Sequence, residues 1–497
     1  MNETAANSWE QRRDWLIGLV LFVFLSSVYY ATASGITSSN DGSHYALLRT
    51  MVENHSFALG QFDDYAEGND IAVTEDGRLF SDRPPGTALL STPFYVAAGG
   101  FPDIAAALPS RHDAQNPRLA YVLFLPAWAG AGAVVVLYFL MRALGVPAAA
   151  GVTAALMFGL GTAHWKYSSV LYSHALSAFL VITAVALALG LARRRWTGWA
   201  TYFLLGLLLG LAVLTEYSNA LLVFMLVGYV GWFIRPLTWS GTARSLGFLV
   251  LGGLLPALFL VFYNASNFGS PFRLSYAYAI NYPWAGSFLT TFNYPLLEGL
   301  RGLLYWGTGD GWCDPTCFNQ GLILLAPLLL LALPGWYFFF KRAPREALLT
   351  AVIFLVYLLL FARHRTYHGF TADGRYLVPY LGLLALPLGF FVAWVFELRG
   401  RPLAQSLLFL LLYGLFFLSL RNMALHIGTS YNYFLDLSQL DGLVVRPENW
   451  RYLSEELFPN AANLPLLWTV ELVIFLVLSA GIWFVLRRKS KRGDLAG

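Results

Sequence analysis

Twelve apolar runs recur along the chain, at about 15–33, 118–142, 148–164, 172–192, 199–214, 217–234, 245–263, 320–340, 347–362, 376–396, 404–420 and 466–486. Most approach the roughly 17 to 25 residues that cross a bilayer. A chain built this way has few options, because backbone groups in lipid find no water and must close their own hydrogen bonds as helices. Charged residues make up only 12% of the sequence, against about 25% in soluble domains, so lipid is the solvent for most of the surface. The expected fold is an all-α integral membrane bundle of about 12 transmembrane helices, with extracytoplasmic juxtamembrane helices and loops.

Charge placement orients the bundle. With the N-terminus in the cytoplasm, 18 of the 32 Lys and Arg but only 6 of the 28 Asp and Glu fall on the cytoplasmic side. That is the bias of inward-facing loops, and the tail Arg487-Arg488-Lys489-Ser490-Lys491-Arg492 puts the C-terminus on the same side. The expected location is therefore the plasma (inner) membrane, with both termini cytoplasmic. Ala31-Thr32-Ala33 resembles a signal cleavage site, but the length of the run before it and the remaining charge pattern favour an uncleaved first helix.

The sequence then divides into seven parts: residues 1–33 (N-terminus and first span), the extracytoplasmic segment 34–117, spans two to seven in 118–263, a loop at 264–319, spans eight to eleven in 320–420, a loop at 421–465, and the last span with its tail in 466–497. No repeat, P-loop, dinucleotide-binding glycine pattern or HExxH sequence is present, and nothing marks a nucleic-acid partner. Cys313 and Cys317, the only cysteines, sit in an extracytoplasmic loop. A disulfide, two free thiols and a weak metal site all remain open for them.

Segment 34–117 is where water-dependent chemistry can sit. It carries Ser39-Asn40-Asp41-Gly42-Ser43-His44-Tyr45 and, some forty residues on, Ser81-Asp82-Arg83-Pro84-Pro85-Gly86. Tyr45, Leu48, Met51, Val52 and Phe57 recur at near-helical spacing, which predicts an amphipathic helix at the membrane surface with Asp41 at its start. Residues 60–82 read as a solvated acidic loop with a turn at Glu75-Asp76-Gly77-Arg78, and 87–99 as a second juxtamembrane or half-inserted helix. Glu216, at the outer end of the fifth span, either snorkels to the interface or serves a site. The aromatics of 264–319 suit an interfacial belt or sugar stacking. A basic corner, Arg363, His364, Arg365, His368 and Arg375, needs compensating anions, either nearby carboxylates or a phosphate.

An extracytoplasmic Asp after the first span, a Tyr four residues later, then a basic residue before Pro-Pro: Asp41, Tyr45 and Arg83-Pro84-Pro85 resemble the first loop of the GT-C superfamily of polytopic glycosyltransferases. Within it the chain is most similar to the protein mannosyltransferase and aminoarabinose-transferase branch (family 39). Tyr172-Ser173-His174, Tyr263-Asn264 with Phe268-Gly269-Ser270-Pro271, and Gly374-Arg375-Tyr376-Leu377-Val378-Pro379 extend the resemblance over residues 15 to 396. Two departures stand out. Gly42 replaces a frequent Glu, and Arg83 replaces Lys, which keeps the charge and adds a guanidinium fork.

The resemblance implies transfer of one sugar from a polyprenyl-phosphate donor to an acceptor hydroxyl of a protein, lipid or glycan, at the extracytoplasmic face. It makes Asp41 the catalytic base, against the simpler reading that Asp41 caps the helix it begins. Tyr45, Asp82, Arg83, His174, Arg365 and Arg375 become substrate-binding residues, the arginines for the lipid phosphate. The scheme requires no metal, although the acids between 63 and 82 leave room for a divalent cation. The rival classes are a secondary transporter or lipid flippase, which favour inverted repeats and mid-bilayer ionisable groups, and a catalytically inactive relative acting as a scaffold.

Overall fold

Apolar runs separated by short polar corners fold as antiparallel neighbours. The computed structural model describes residues 3–100, 118–234, 238–308, 318–369, 373–398, 400–428, 440–441, 444–445 and 457–493. Eight described helices are long and apolar enough to cross a membrane: Glu10–Ala31, Leu119–Ala143, Ser173–Ala192, Ser240–Phe268, Pro344–Ala362, Arg375–Phe396, Pro402–Ile427 and Ala461–Ala480. Each matches one of the expected runs. Three other runs fold as shorter apolar helices, Ala148–Gly161, Trp199–Thr215 and Tyr217–Phe233. The run at 320–340 is broken into Leu322–Leu325, a tight turn Pro327–Leu331 and Ala332–Arg342. A residue before proline is driven out of the helical region, and Ala326, before Pro327, lies at φ −127° and ψ 68°.

Contacts between helix ends fix the alternation. At one end Arg142 Nε meets Asp14 Oδ2 at 2.9 Å and Arg193 Nε meets Glu346 Oε1 at 2.6 Å. At the other end Asn460 donates through Nδ2 to the Tyr30 carbonyl (3.0 Å) and Tyr294 N–H donates to the Arg363 carbonyl (2.9 Å). Chain direction thus reverses from one helix to the next, and Arg142 and Arg193, two of the basic residues counted as cytoplasmic, share the first end, whereas the corner at 363–375 lies at the second. Glu471, inside the last span, accepts from Ser26 Oγ (2.7 Å) and Trp128 Nε1 (3.0 Å), tying that helix to the first.

The polar segment forms a lid of secondary structure on the second end. After the first helix, α1 (Glu3–Ala31), come α2 (Ser39–Glu53), a hairpin of β1 (Ile71–Val73) and β2 (Leu79–Ser81), and α3 (Gly86–Ala97). Two expectations need correction here. The helix after Asp41 does not lie open on the surface: residues 39–48 are buried, enclosed by a turn at Gly60–Ala66, by β2 and by α3. Nor are residues 60–82 a solvated loop throughout. Phe62, Tyr65 and Asp70 are buried, because the turn read at 75–78 closes a hairpin that pairs Ile71 with Ser81. The close packing also accounts for Gly42, where a Cβ would sit 1.8 Å from the Tyr65 carbonyl oxygen. No side chain fits there, least of all a Glu. Cys313 and Cys317 lie outside the described residues.

Candidate functional site

The hairpin register brings Asp70 and Asp82 to one end of the ribbon, and Arg83 lies between them. Arg83 pairs with Asp70 through NH2 and lies 3.1 Å from Asp82 Oδ1 through Nε. Serines lock this acid-base-acid row to its surroundings. Ser39 donates to Asp70 Oδ2 (2.6 Å), Ser43 donates to the Asp70 carbonyl (2.7 Å), and Ser275 donates to the Asp82 carbonyl (2.6 Å). The Asp82 side chain is fully buried, yet neither carboxylate oxygen has a hydrogen-bond partner among the described residues. Burial pushes the Asp82 carboxyl pKa up and the Asp70 charge adds to that, outweighing the guanidinium groups of Arg83 and Arg375.

A second wall forms where Trp199–Thr215 ends. Ser173 donates to Glu216 Oε1, and His174 Nδ1 lies 3.3 Å from the same oxygen. His174 stacks on Tyr167 with centroids 4.8 Å apart. His44 completes the cluster: the charges that act on it are those of Arg83, Glu216, Asp70 and His174, and burial holds its pKa down, to about 3.

Arg375 forms the third wall. It is 6% exposed, its Nε lacks a hydrogen-bond partner, and no acid among the described residues pairs with it. Its guanidinium carbon lies 5.6 Å from the Tyr172 ring centre and 5.5 Å from that of Tyr376. Gly369, at φ +63°, passes beneath, and a Cβ there would meet Arg375 Nε at 2.6 Å. Left-handed backbone costs a non-glycine residue about 1–2 kcal/mol. Gly369→Ala is therefore expected to lower the melting temperature modestly and to raise KM for an anionic substrate several-fold by displacing the guanidinium. A KM equal to wild type would show that Arg375 does not depend on that passage.

These walls enclose a cavity of about 580 Å³ bordered by Asp82, Arg83, Glu216, Arg375, Tyr282 and Trp284, with Leu221, Phe272 and Phe288 making its apolar side. His364 also borders it, and burial lowers its pKa to about 3, so it is neutral near pH 7. Tyr276, Tyr282 and Trp284 thereby belong to the cavity rather than to an interfacial belt alone. Arg273, the other arginine of the lining, is exposed and donates to Tyr278 OH at 2.9 Å.

Of the residues singled out by sequence, Asp82, Arg83 and Arg375 line this cavity, and His174 stands directly behind Glu216. Three others do not. Asp41 is absent from the walls because its carboxylate is consumed by its own helix start. Oδ2 accepts from Thr37 N–H (2.9 Å) and Oγ1 (3.0 Å), and Oδ1 accepts from Ser38 N–H (2.8 Å), Ser38 Oγ (2.7 Å) and Gly42 N–H (3.2 Å). Tyr45 is a core residue, edge-on to Tyr65 (5.2 Å) and Tyr95 (6.3 Å). Arg365 is exposed, its guanidinium 5.9 Å from the Trp284 ring centre, outside the cavity lining. Asp41→Asn is expected to cost about 1–3 kcal/mol, as for a buried group whose partners are left unsatisfied, with kcat changed less than threefold (about 0.6 kcal/mol). Thermal melting and turnover measured on the same preparation check it.

Sequence reading missed Asp70 and His44 and left Glu216 open. The Glu75-Asp76-Gly77-Arg78 turn was the available signal for Asp70, since a hairpin centred there sets 70 beside 82. For His44 the signal was helical phase: Ser39, Ser43 and His44 lie on the side of α2 toward the charged row, and Tyr45 packs on Tyr65 and Tyr95. Among the described residues no three His, Cys, Asp or Glu side chains gather as a metal site.

No family model matches this chain, and no curated protein matches it. Solved structures do resemble it, and they are GT-C membrane glycosyltransferases. The archaeal oligosaccharyltransferase AglB from Archaeoglobus fulgidus, in complex with an inhibitory peptide and a dolichol-phosphate, aligns with TM-score 0.48 and 14% identity over 82% of this chain and 56% of its own, so the present chain spans little more than half of that enzyme. ArnT from Cupriavidus metallidurans, bound to undecaprenyl phosphate, aligns with TM-score 0.47 and 16% identity over 92% of this chain and 74% of its own. The S. cerevisiae protein O-mannosyltransferase Pmt1-Pmt2 complex, bound to the sugar donor, aligns with TM-score 0.37 and 15% identity over 51% and 34%. Likeness at this level carries no substrate or residue role across.

Proposed function

We propose that this chain is a glycosyltransferase that moves a sugar from a polyprenyl-phosphate donor to an acceptor hydroxyl, with the cavity facing the extracytoplasmic side. The observation that carries the reading is a buried guanidinium, Arg375, left without an acid in a cavity that also holds a buried, hydrogen-bond-free carboxylate, Asp82. A buried cation without a partner is costly, and a phosphate is the group that a guanidinium fork matches. The apolar side at Leu221, Phe272 and Phe288 suits the start of an isoprenoid chain. The extracytoplasmic side is supported by the basic residues Arg142 and Arg193 at the opposite end of the bundle.

In the proposed reaction the acceptor O–H gives its proton to Asp82, its oxygen bonds to the anomeric carbon, and the bond from that carbon to the phosphate oxygen breaks. The electron pair leaves with the lipid phosphate, whose charge Arg375 stabilises. Arg83 is committed to Asp70 and Asp82, so it aims the base rather than gripping phosphate. This reading gives the base's role to Asp82 rather than to Asp41, whose carboxylate is held by five donors of its own helix start. Trp284 and Tyr282 offer faces for a sugar ring.

The test uses purified full-length protein in proteoliposomes with a panel of undecaprenyl- and dolichyl-phosphate sugars and a membrane extract as the source of acceptor hydroxyls, following release of free lipid phosphate together with transfer of labelled sugar. Release that depends on the protein and on Asp82 supports the reading. Movement of the intact lipid-linked sugar across vesicles without release would favour the flippase instead.

A further inference from the structure

Three segments distant in sequence meet in a buried charged knot one layer behind Arg375. Lys166, in the turn His164–Tyr167, places Nζ 3.0 Å from Asp373 Oδ2. His426, near the end of Pro402–Gly428, places Nε2 2.7 Å from that same oxygen and 3.0 Å from Lys166 Nζ. Tyr167 OH donates to Asp373 Oδ1 at 2.7 Å. None of the four is more than 2% exposed. An ion pair at this depth contributes little net stability compared with well-packed apolar side chains, so its position calls for another reason.

The reason lies in what Asp373 is kept from doing. Its carbonyl accepts the Arg375 N–H at 2.5 Å, which makes it the carboxylate nearest to Arg375 along the chain. Both of its side-chain oxygens are nevertheless turned to Lys166, His426 and Tyr167, and no ion pair joins it to Arg375. Burial alone would raise its pKa, but Lys166, His426 and Tyr167 hold it well below the usual carboxylate range, so Asp373 is a full negative charge within its own segment's reach of the guanidinium. Released from the knot, it would neutralise Arg375.

We propose that Lys166, with His426 and Tyr167, is a positioning device that sequesters Asp373 and so keeps the Arg375 guanidinium free for a phosphate. The inference rests on the reading of Arg375 as the phosphate-binding group. It predicts a rescue that a merely structural knot would not give, because removing the released acid should undo the effect of removing its captor.

The experiment titrates full-length protein in nanodiscs with undecaprenyl phosphate carrying no sugar, read by Trp fluorescence and by ligand-dependent thermal shift. Arg375→Ala is expected to weaken binding about a hundredfold and Lys166→Met about tenfold, while Lys166→Met/Asp373→Asn returns to within about threefold of wild type. Tyr167→Phe, which frees Oδ1 without deleting a charge, moves affinity in the same direction by about threefold and serves if Lys166→Met does not fold. The knot proposal is overturned if Arg375→Ala weakens binding while Lys166→Met and Tyr167→Phe bind as wild type does, or if the double variant binds more weakly than Lys166→Met. The phosphate reading itself fails if Arg375→Ala binds as wild type does.

Discussion

Replacing Asp82 by Asn is expected to lower kcat by about 10²–10⁴, the range a positioned general base supplies, and to leave donor KM within a few-fold of wild type. Asn keeps the size of the side chain and removes the proton acceptor. The fold should survive, because Asp70 still pairs with Arg83 and the Ser275 bond is to the Asp82 backbone. A pH profile sharpens the test. The base works deprotonated, and burial has raised its pKa. Activity should therefore be lost, as pH falls, well above the ordinary Asp value of about 3.9. Arg83 opposes that rise, so Arg83→Met should move the acidic limb to still higher pH. An Asp82→Asn enzyme that retains wild-type kcat removes Asp82 from the role. If Asp41→Asn instead abolishes turnover at an unchanged melting temperature, the first-loop acid named by resemblance is the base after all.

The contest between Asp41 and Asp82 shows where sequence stopped being informative. Spans, their alternation and the gathering of polar groups at one end follow from apolar length and basic bias, and eight of the twelve runs meet both length and hydropathy in the structure. Those are properties of single segments. The site is a property of pairs: whether Asp41 faces a cavity depends on which donors surround it, and its own N-terminal turn supplies five. Arg83 was read as a phosphate ligand from its place before Pro84-Pro85, while its ion-pair partner Asp70, thirteen residues earlier, looked like one of many loop acids. Arg375 was legible for the opposite reason. A cation at the end of an apolar helix stands out wherever its neighbours lie.

Arg375 separates a functional charge from a structural one more sharply than any other residue here. Arg375→Met should reduce kcat/KM by about 10²–10³, the cost of deleting one preorganised group that meets developing charge. Arg375→Lys, which keeps the charge but loses the fork, should fall between Met and wild type. Stability should move the other way. Arg375 is 6% exposed and no described acid pairs with it, so without a bound anion its charge carries a desolvation cost that the Tyr172 and Tyr376 faces offset only in part and that Met relieves. The melting temperature of ligand-free Arg375→Met should equal or exceed that of wild type, and added undecaprenyl phosphate should stabilise wild type but not the variant. A structural arginine gives the reverse pattern, with a lower melting temperature and loss of activity only in proportion to unfolded protein. That result would mean the cavity holds no phosphate, because the charge would then be satisfied by the fold and not by a ligand.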